Sequence, residues 1–169
     1  MGNTVPNACL HYTTLFLLFG GKWLLLKRST EKRLQPDRYT GLGGRVEADE
    51  LGDLRGSVLR ELAEETGLDE ADLTHLTLRR MLTHNRPGEP LTVLFYFTAE
   101  LNRYALPDCT EGTLHWTLPE AFAELDIIET TAQVLPKLAE DVNKPPEQSV
   151  RLGVAHYENG ELARVVWGD

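Results

Sequence analysis

Cys9 to Phe19 (CLHYTTLFLLF) and Trp23 to Arg28 are rich in aliphatic, aromatic and β-branched side chains, and Gly20-Gly21 divides them. A glycine pair supplies the backbone angles of a two-residue turn, so the pattern predicts a β-hairpin. Ser29 to Tyr39 (STEKRLQPDRY) is polar, charged and broken by a proline, and reads as a loop over the mouth of a site. A short strand is expected over Tyr39 to Val46. The period then becomes helical over Leu54 to Thr66. Val58, Leu59 and Leu62 share one side, while Arg60, Glu61, Glu64 and Glu65 fall within an arc of about 140° on the other. Asp53 is placed to cap the start of this helix, and Gly67 stands where a left-handed cap is cheapest.

Further along, Leu73 to His84 reads as a helical start passing into a strand, TLRRMLTH. His84 to Pro90 is a turn cluster, and Leu91 to Glu100 (LTVLFYFTAE) is a strand apolar enough to be buried on both faces. Asn102 to Gly112 reads as a loop and Thr113 to Leu118 as a short strand. Pro119 opens a helix through Leu125, since proline suits a first turn. Thr130 to Val142 is a second amphipathic helix, and Asn143 to Glu147 a proline-containing connector. Val150 to His156 and Leu162 to Trp167 flank Glu158-Asn159-Gly160, a hairpin signal. No repeat or low-complexity tract interrupts the order. Strands mixed with two or three helices predict an α+β or α/β/α layered fold, one domain over 1–169 with a C-terminal hairpin at about 149–168.

Charge narrows the partners. The 169 residues carry a formal net charge of −9, which argues against binding a nucleic-acid polymer along its backbone. It leaves room for a small phosphorylated ligand held by a metal ion and a few local cations. Two cysteines, Cys9 and Cys109, form neither a disulfide framework nor a zinc pattern, and a reducing cytoplasm is the simplest setting. MGNTVPNACLHY has no basic region followed by a long apolar run, and Pro6 stands where a myristoylation signal wants Ser or Thr. Leu15 to Leu26 is too short and too interrupted for a membrane span, so no membrane partner is expected.

The chemistry concentrates in Gly41 to Leu68, GLGGRVEADELGDLRGSVLRELAEETGL. Gly41, Gly43 and Gly44 let backbone approach a ligand closely and offer carbonyl oxygens. Glu61, Glu64 and Glu65 repel one another unless a cation sits among them. Hard divalent cations prefer oxygen donors, so Mg²⁺ is the expected cofactor, with Mn²⁺ also suited. A metal so held neutralises phosphate charge and activates water, and a neighbouring carboxylate takes the proton. Lys27, Arg28 and Arg45 are candidates for phosphate oxygens. An acidic amphipathic helix alone would read as a solvated face; the glycines ahead of it shift that balance. His84 and His115 read first as ordinary core or surface histidines, and Trp116 and Phe95 to Phe97 as core.

Arg60-Glu-Leu-Ala-Glu-Glu-Thr-Gly-Leu68, preceded by Gly44 and Glu50, resembles the Nudix box, G-x5-E-x7-R-E-U-x-E-E-x-G-U with U aliphatic. Every specified position from Arg60 to Leu68 matches, as does Gly44 through Glu50. Nine residues separate Glu50 from Arg60 where the pattern has seven, a two-residue insertion, which leaves Glu50, Asp53 and Glu47 as alternative partners for Arg60. The resemblance implies an αβα sandwich with a mixed sheet. It also implies that Glu64 and Glu65 bind metal, that Glu61 binds metal or acts as base, and that Arg60 orients a glutamate. The Gly43 carbonyl would be a backbone metal ligand. A further carboxylate from a later loop is expected, Glu111 first and Asp108 second.

Members of that family hydrolyse a nucleoside diphosphate linked to another group, and some subfamilies carry extra signals. An ADP-ribose signature would want proline at Leu82, and a diadenosine polyphosphate signature tyrosine at His84. An NADH-type string is absent. Leu25-Leu26-Lys27-Arg28-Ser29 matches only the first part of a coenzyme A string. Tyr39 to Gly44 resembles the approach to the box in MutT-like enzymes. The expected reaction is therefore hydrolysis of a nucleoside di- or triphosphate to the monophosphate, releasing phosphate or pyrophosphate. The alternatives are another nucleoside diphosphate derivative, such as a sugar nucleotide or dinucleotide, or a nucleotide-binding module without hydrolysis. The implied partner is a small nucleotide, with the chain a monomer or homodimer.

Overall fold

A computed structural model describes residues 8–145 and 149–168. The readings of the N-terminal segment through Asn7, and of the connector at residues 146 and 147, lie outside the described residues. The first hairpin is β1 (Cys9–Phe19) and β2 (Lys22–Arg28), antiparallel, with Leu17 opposite Leu24. Gly20 and Gly21 both have positive φ, 56° and 78°, as the twist of a two-residue hairpin turn requires. Beyond Leu17 the two strands part. β3 (Tyr39–Thr40) pairs with the end of β2, and the following glycine segment crosses to β1 through isolated bridges, Leu15 to Leu42 and Tyr12 to Arg45. The strand expected over Tyr39 to Val46 is thus only two residues long; the rest fills the opening between diverging strands.

α1 spans Leu54–Thr66 as predicted, with the Asp53 side chain accepting from the Gly56 amide and Gly67 left-handed at φ 73°. β4 (Leu73–His84) is strand throughout, so the helical start expected at Leu73 is absent. A 3-10 turn, Glu70–Asp72, precedes it. The reason is its partner, β5 (Leu91–Leu101), whose buried backbone needs pairing along its whole length. The awkward stretch is absorbed by a register shift between Thr74 and Thr77, with His75 at φ 55°. β6 (Gly112–Thr117) pairs with β2. Pro119–Glu124 forms a 3-10 turn rather than the expected α-helix. α2 (Glu129–Asp141) carries Pro136 inside it, and the C-terminal hairpin is β7 (Arg151–Glu158) with β8 (Glu161–Trp167).

The sheet runs β3-β2-β1-β5-β4-β7-β8, with β6 on the side of β2; β1–β5 and β4–β7 are parallel and the other pairs antiparallel. Alternation along β1 sends Leu15 and Leu17 to one face and Phe16 to the other. The first face packs Leu24, Leu26, Phe95 and Phe97 against Val58 and Leu62 of α1. The second packs Trp23, Leu25, Leu82 and Tyr96 against Val134, Leu135 and Leu138 of α2. Both faces of β5 are buried, as its continuous apolarity predicts. The result is an αβα sandwich around a mixed sheet. Among the described residues no helix is long and apolar enough to cross a membrane.

Candidate active site

The glycine segment and α1 meet because β1 holds both. Thr13 donates its amide to the Gly44 carbonyl at 2.9 Å, and Val46 donates to the His11 carbonyl at 2.9 Å. Gly43 lies at φ 127°, and a Cβ there would fall 2.3 Å from the Thr13 carbonyl oxygen. A Cβ on Gly44 would fall 2.6 Å from Oε2 of Glu61. The second glycine is therefore the floor on which the Glu61 carboxylate rests.

Glu65 is 6% exposed, buried beneath the last turn of α1. Its Oε2 accepts from the Gly43 amide at 2.9 Å. Burial pushes its carboxyl up to about 8; the Gly43 amide works against this, and the charges of Glu61 and Glu111 add to it. Arg28 is near enough to oppose the rise. Burial also raises Glu61, against the pull of Arg60. Glu111 reaches the cluster because the amide of the preceding residue, Thr110, donates to the Glu65 carbonyl at 3.0 Å. Glu111 in turn forms an ion pair with Lys32. Asp108 is exposed on the same loop and plays no part in this arrangement.

Arg60 organises the outer rim. Its Nε and Nη2 donate to the two oxygens of Glu50 at 2.6 and 3.0 Å. Its Nη1 lies 2.9 Å from Glu61 and 3.1 Å from Glu64, and its Nη2 also donates to the Arg45 carbonyl at 3.2 Å. Of the three carboxylates open as its partner, Glu50 takes the bidentate place, Asp53 caps the helix, and Glu47 gives its amide to Glu50 at 3.0 Å. The longer join is taken up by consecutive turns, in which Glu50 and Asp53 donate their amides to Glu47 and Glu50 carbonyls. Hydrogen bonds from Arg60, then the Glu47 amide, draw the Glu50 carboxyl down to about 2. The guanidinium is raised correspondingly, first by Glu50.

Glu64 is mostly exposed and turned to Arg60. Arg28 donates from Nε to the Leu34 carbonyl at 3.2 Å, Lys27 pairs with Asp37 at 3.0 Å, and the Arg45 side chain is exposed. His115 contacts Tyr39 edge-on on the exposed side of β6, and half-buried His84 faces Tyr157 at the far end of β4; neither joins the carboxylates. Phe95 and Phe97 are core, and Trp116 is tied by its indole to the Ala105 carbonyl. The loop of residues 29–38 hides two side chains that its composition did not single out. They are Lys32, and Arg38, which donates to Asp126, Glu129, Gln35 and the Ile127 carbonyl. Neither is visible locally in sequence, because their partners lie far along the chain.

The donors suit a hard divalent cation. All are oxygens, and Glu65 is a buried carboxylate whose hydrogen-bond partner is a backbone amide rather than a cation. Among the described residues no three His, Cys, Asp or Glu already converge as a ligand cage; Glu64 is drawn to Arg60 and Glu111 to Lys32.

The family model for the NUDIX domain matches residues 10–139. Among solved structures the chain is similar to a MutT protein from Bacillus halodurans at 19% identity and TM-score 0.64, covering 94% of this chain and 97% of that one. It is similar to the NUDIX domain of Shewanella oneidensis NrtR, complexed with ADP ribose, at 18% identity and TM-score 0.64, covering 84% and 94%. The E. coli dihydroneopterin triphosphate pyrophosphohydrolase is similar at 21% identity and TM-score 0.61, covering 80% and 96%. No curated protein matches the chain. With a family model that takes in the glycine segment, α1 and the Glu111 loop together, the chain belongs to the Nudix family, pyrophosphohydrolases that act on nucleoside diphosphate derivatives and generally use divalent metal ions.

Proposed function

We propose that the chain, as a single Nudix domain, hydrolyses a nucleoside di- or triphosphate to the monophosphate, releasing phosphate or pyrophosphate, with Mg²⁺ and with Mn²⁺ as a substitute. The observation that carries this reading is the buried Glu65, set against Gly43 beside Glu61 and Glu111, with no side-chain cation among the described residues bonded to it. Glu61, Glu64, Glu65, Glu111 and the Gly43 carbonyl would hold the metal. Bound there, it neutralises phosphate charge and lowers the pKa of water.

The protein's own residues do the rest. Glu61, half-shielded and raised by burial, accepts the proton of the attacking water on its carboxylate, with Glu64 beside it. Arg60, forked on Glu50, positions the Glu61 and Glu64 carboxylates through its Nη1. Arg28 and Arg45 bind phosphate oxygens, and bare backbone at Gly44 lets substrate come close. A cytoplasmic monomer or homodimer is the setting that accompanies this reading.

A panel of nucleoside triphosphates, diphosphates, sugar nucleotides, dinucleotides and ADP-ribose, scored for released phosphate with Mg²⁺, tests it. Turnover is expected to be greatest on a nucleoside tri- or diphosphate and to vanish with a chelator. Much faster turnover of ADP-ribose or a dinucleotide would replace the substrate assignment. The two inserted residues between Glu50 and Arg60 give weight to one further reading, a module that binds without hydrolysis. Binding with no turnover across the panel would establish that instead.

A further inference from the structure

The loop of residues 29–38 touches two groups of the site in a way the roles above leave unused. Its Leu34 carbonyl accepts from Nε of Arg28 at 3.2 Å. Its Lys32 ammonium pairs with Glu111. The first contact offers a neutral oxygen to a side chain suited to phosphate oxygen. The second places a monovalent cation on a carboxylate suited to a divalent one.

Both partners of the second contact are held in place. The Ser29 amide, at the root of the loop, donates to the Glu111 carbonyl at 2.9 Å, and the Thr110 amide ties the same strand entry to α1 at 3.0 Å. The far end of the loop is pinned by Arg38, whose guanidinium reaches Asp126 at 3.0 Å, Glu129 at 2.9 Å and the Ile127 carbonyl at 2.7 Å. Lys32 therefore stands between two anchored ends. The Lys32 and Glu111 side chains are 33% and 31% exposed, so ions and ligands reach both. A lysine suits such a place, because its ammonium is a compact charge on a flexible stem and can turn from one anion to another.

We propose that Lys32 is a shared cation of the site: it pairs with Glu111 until a divalent metal takes that carboxylate, and then binds a phosphate of the substrate. The proposal rests on the reading of Glu111 as a metal-holding residue. It makes metal and phosphate binding mutually reinforcing, since the metal releases the ammonium that the phosphate needs. It also makes the loop a contributor to substrate binding rather than a cover.

Titration of the full chain with Mn²⁺ alone, followed by calorimetry without nucleotide, tests the first half. Lys32→Ala removes the competitor, and Mn²⁺ is expected to bind about threefold to fivefold tighter. In Glu111→Gln the same Lys32→Ala change is expected to bring no gain. Steady-state kinetics on a nucleoside triphosphate test the second half: Lys32→Ala raises KM more than it lowers kcat, and Lys32→Arg restores KM. Wild-type Mn²⁺ affinity in Lys32→Ala, with Glu65→Gln still weakening it, would overturn the role of Lys32 and leave the metal site standing. Absence of Mn²⁺ binding by the unaltered chain would overturn the metal-site reading and Lys32 with it. The pair is on the surface, and melting curves of each variant confirm that it is folded before titration.

Discussion

Among the described residues two carboxylates are almost wholly buried, each in the last turn of a helix, on opposite faces of one sheet. Glu65 of α1 is 6% exposed and Asp141 of α2 is 7% exposed. The C-terminal turn of a helix disfavours negative charge, so both places call for a cation. At Asp141 the fold supplies one. Arg80 donates from Nε and Nη2 at 2.6 and 2.9 Å, its guanidinium stacks on Trp167 at 4.6 Å, and Lys144 lies 3.8 Å away. At Glu65 the fold supplies a backbone amide and two further carboxylates. A buried charge answered from within is a fastener. A buried carboxyl set among other carboxylates resists ionising, at a cost to stability once it does, and marks the place for a ligand.

The sharpest way to break this contrast is to neutralise each carboxylate in turn. Glu65→Gln keeps the shape of the side chain and is expected to lower kcat on the order of a thousandfold while the protein stays folded. Full metal-dependent turnover by that variant would remove Glu65 from the site. Asp141→Ala should do the reverse. It strands Arg80 in the core and is expected to cost about 3–5 kcal/mol, read by denaturant unfolding, with kcat of the folded fraction unchanged. Replacing both partners, Arg80→Met with Asp141→Leu, should return most of that loss, since no charge is then left unpaired.

The pH dependence sharpens the same distinction. The Glu65 carboxyl titrates from 4.5 when unfolded to about 8 when folded, so between those values the folded chain holds the extra proton. Without divalent cations, stability therefore falls as pH rises through that window and levels off above it. Glu65→Gln should flatten this part of the curve. The variant is expected to be more stable than the unaltered chain above pH 8, by up to about 5 kcal/mol, and no more stable below 4.5. Thermal melts in chelator would expose the error, through equal slopes for the two proteins. Added Mn²⁺ should then stabilise only the chain that keeps Glu65.

The same contrast explains what sequence made legible. α1 could be placed to the residue because its signals are local: Asp53 and Gly67 punctuate it, and three leucine or valine positions mark its buried side. The crowding of Glu61, Glu64 and Glu65 was legible for that reason too. The Arg80–Asp141 fastener was not, because its partners lie on elements far apart in the chain, and neither side chain departs from an ordinary polar pattern. Lys32 with Glu111 and Arg38 with Glu129 escaped for the same reason. The short β3 depends on where β1 and β2 diverge, and the strand at Leu73 on a partner that needed pairing. Spacing misled once: nine residues between Glu50 and Arg60 looked too long, yet turns consume the surplus and deliver Glu50 to both guanidinium nitrogens.

Glu50 gives a smaller test, on the rim between the two kinds of carboxylate. It is fastened to Arg60 like Asp141 to Arg80, but it lies beside the site, and its partner also touches Glu61 and Glu64. Glu50→Gln removes one charge from the fork and frees Arg60 to bind the other two more closely. The expected result is about a tenfold fall in kcat, as those two become less available, with little change in melting temperature because the pair is close to solvent. Unchanged kcat would make the Glu50–Arg60 fork a fastener only.

The least effect should come from the other end of α1. Asp53 accepts from the Gly56 amide at 2.9 Å, whereas α2 begins at Ile128 without any side-chain cap. α2 manages because its inner face buries Val134, Leu135 and Leu138 completely. α1 buries Val58 and Leu62 fully, packs Leu54 and Leu59 only in part, and carries Glu61, Glu64 and Glu65, which repel one another, on its other side. A helix with less burial and more repulsion should depend more on its cap. Asp53→Ala is therefore expected to cost about 1 kcal/mol by denaturant unfolding, while Ile128→Ala, which alters no capping bond, should leave the start of α2 in place. Hydrogen exchange separates the two: faster exchange is expected at the first turn of α1 in Asp53→Ala, without comparable change at the first turn of α2 in Ile128→Ala. Equal fraying at both helices would mean that the site end of the molecule is fastened as firmly as the far side, and the contrast between them would shrink to the single residue Glu65.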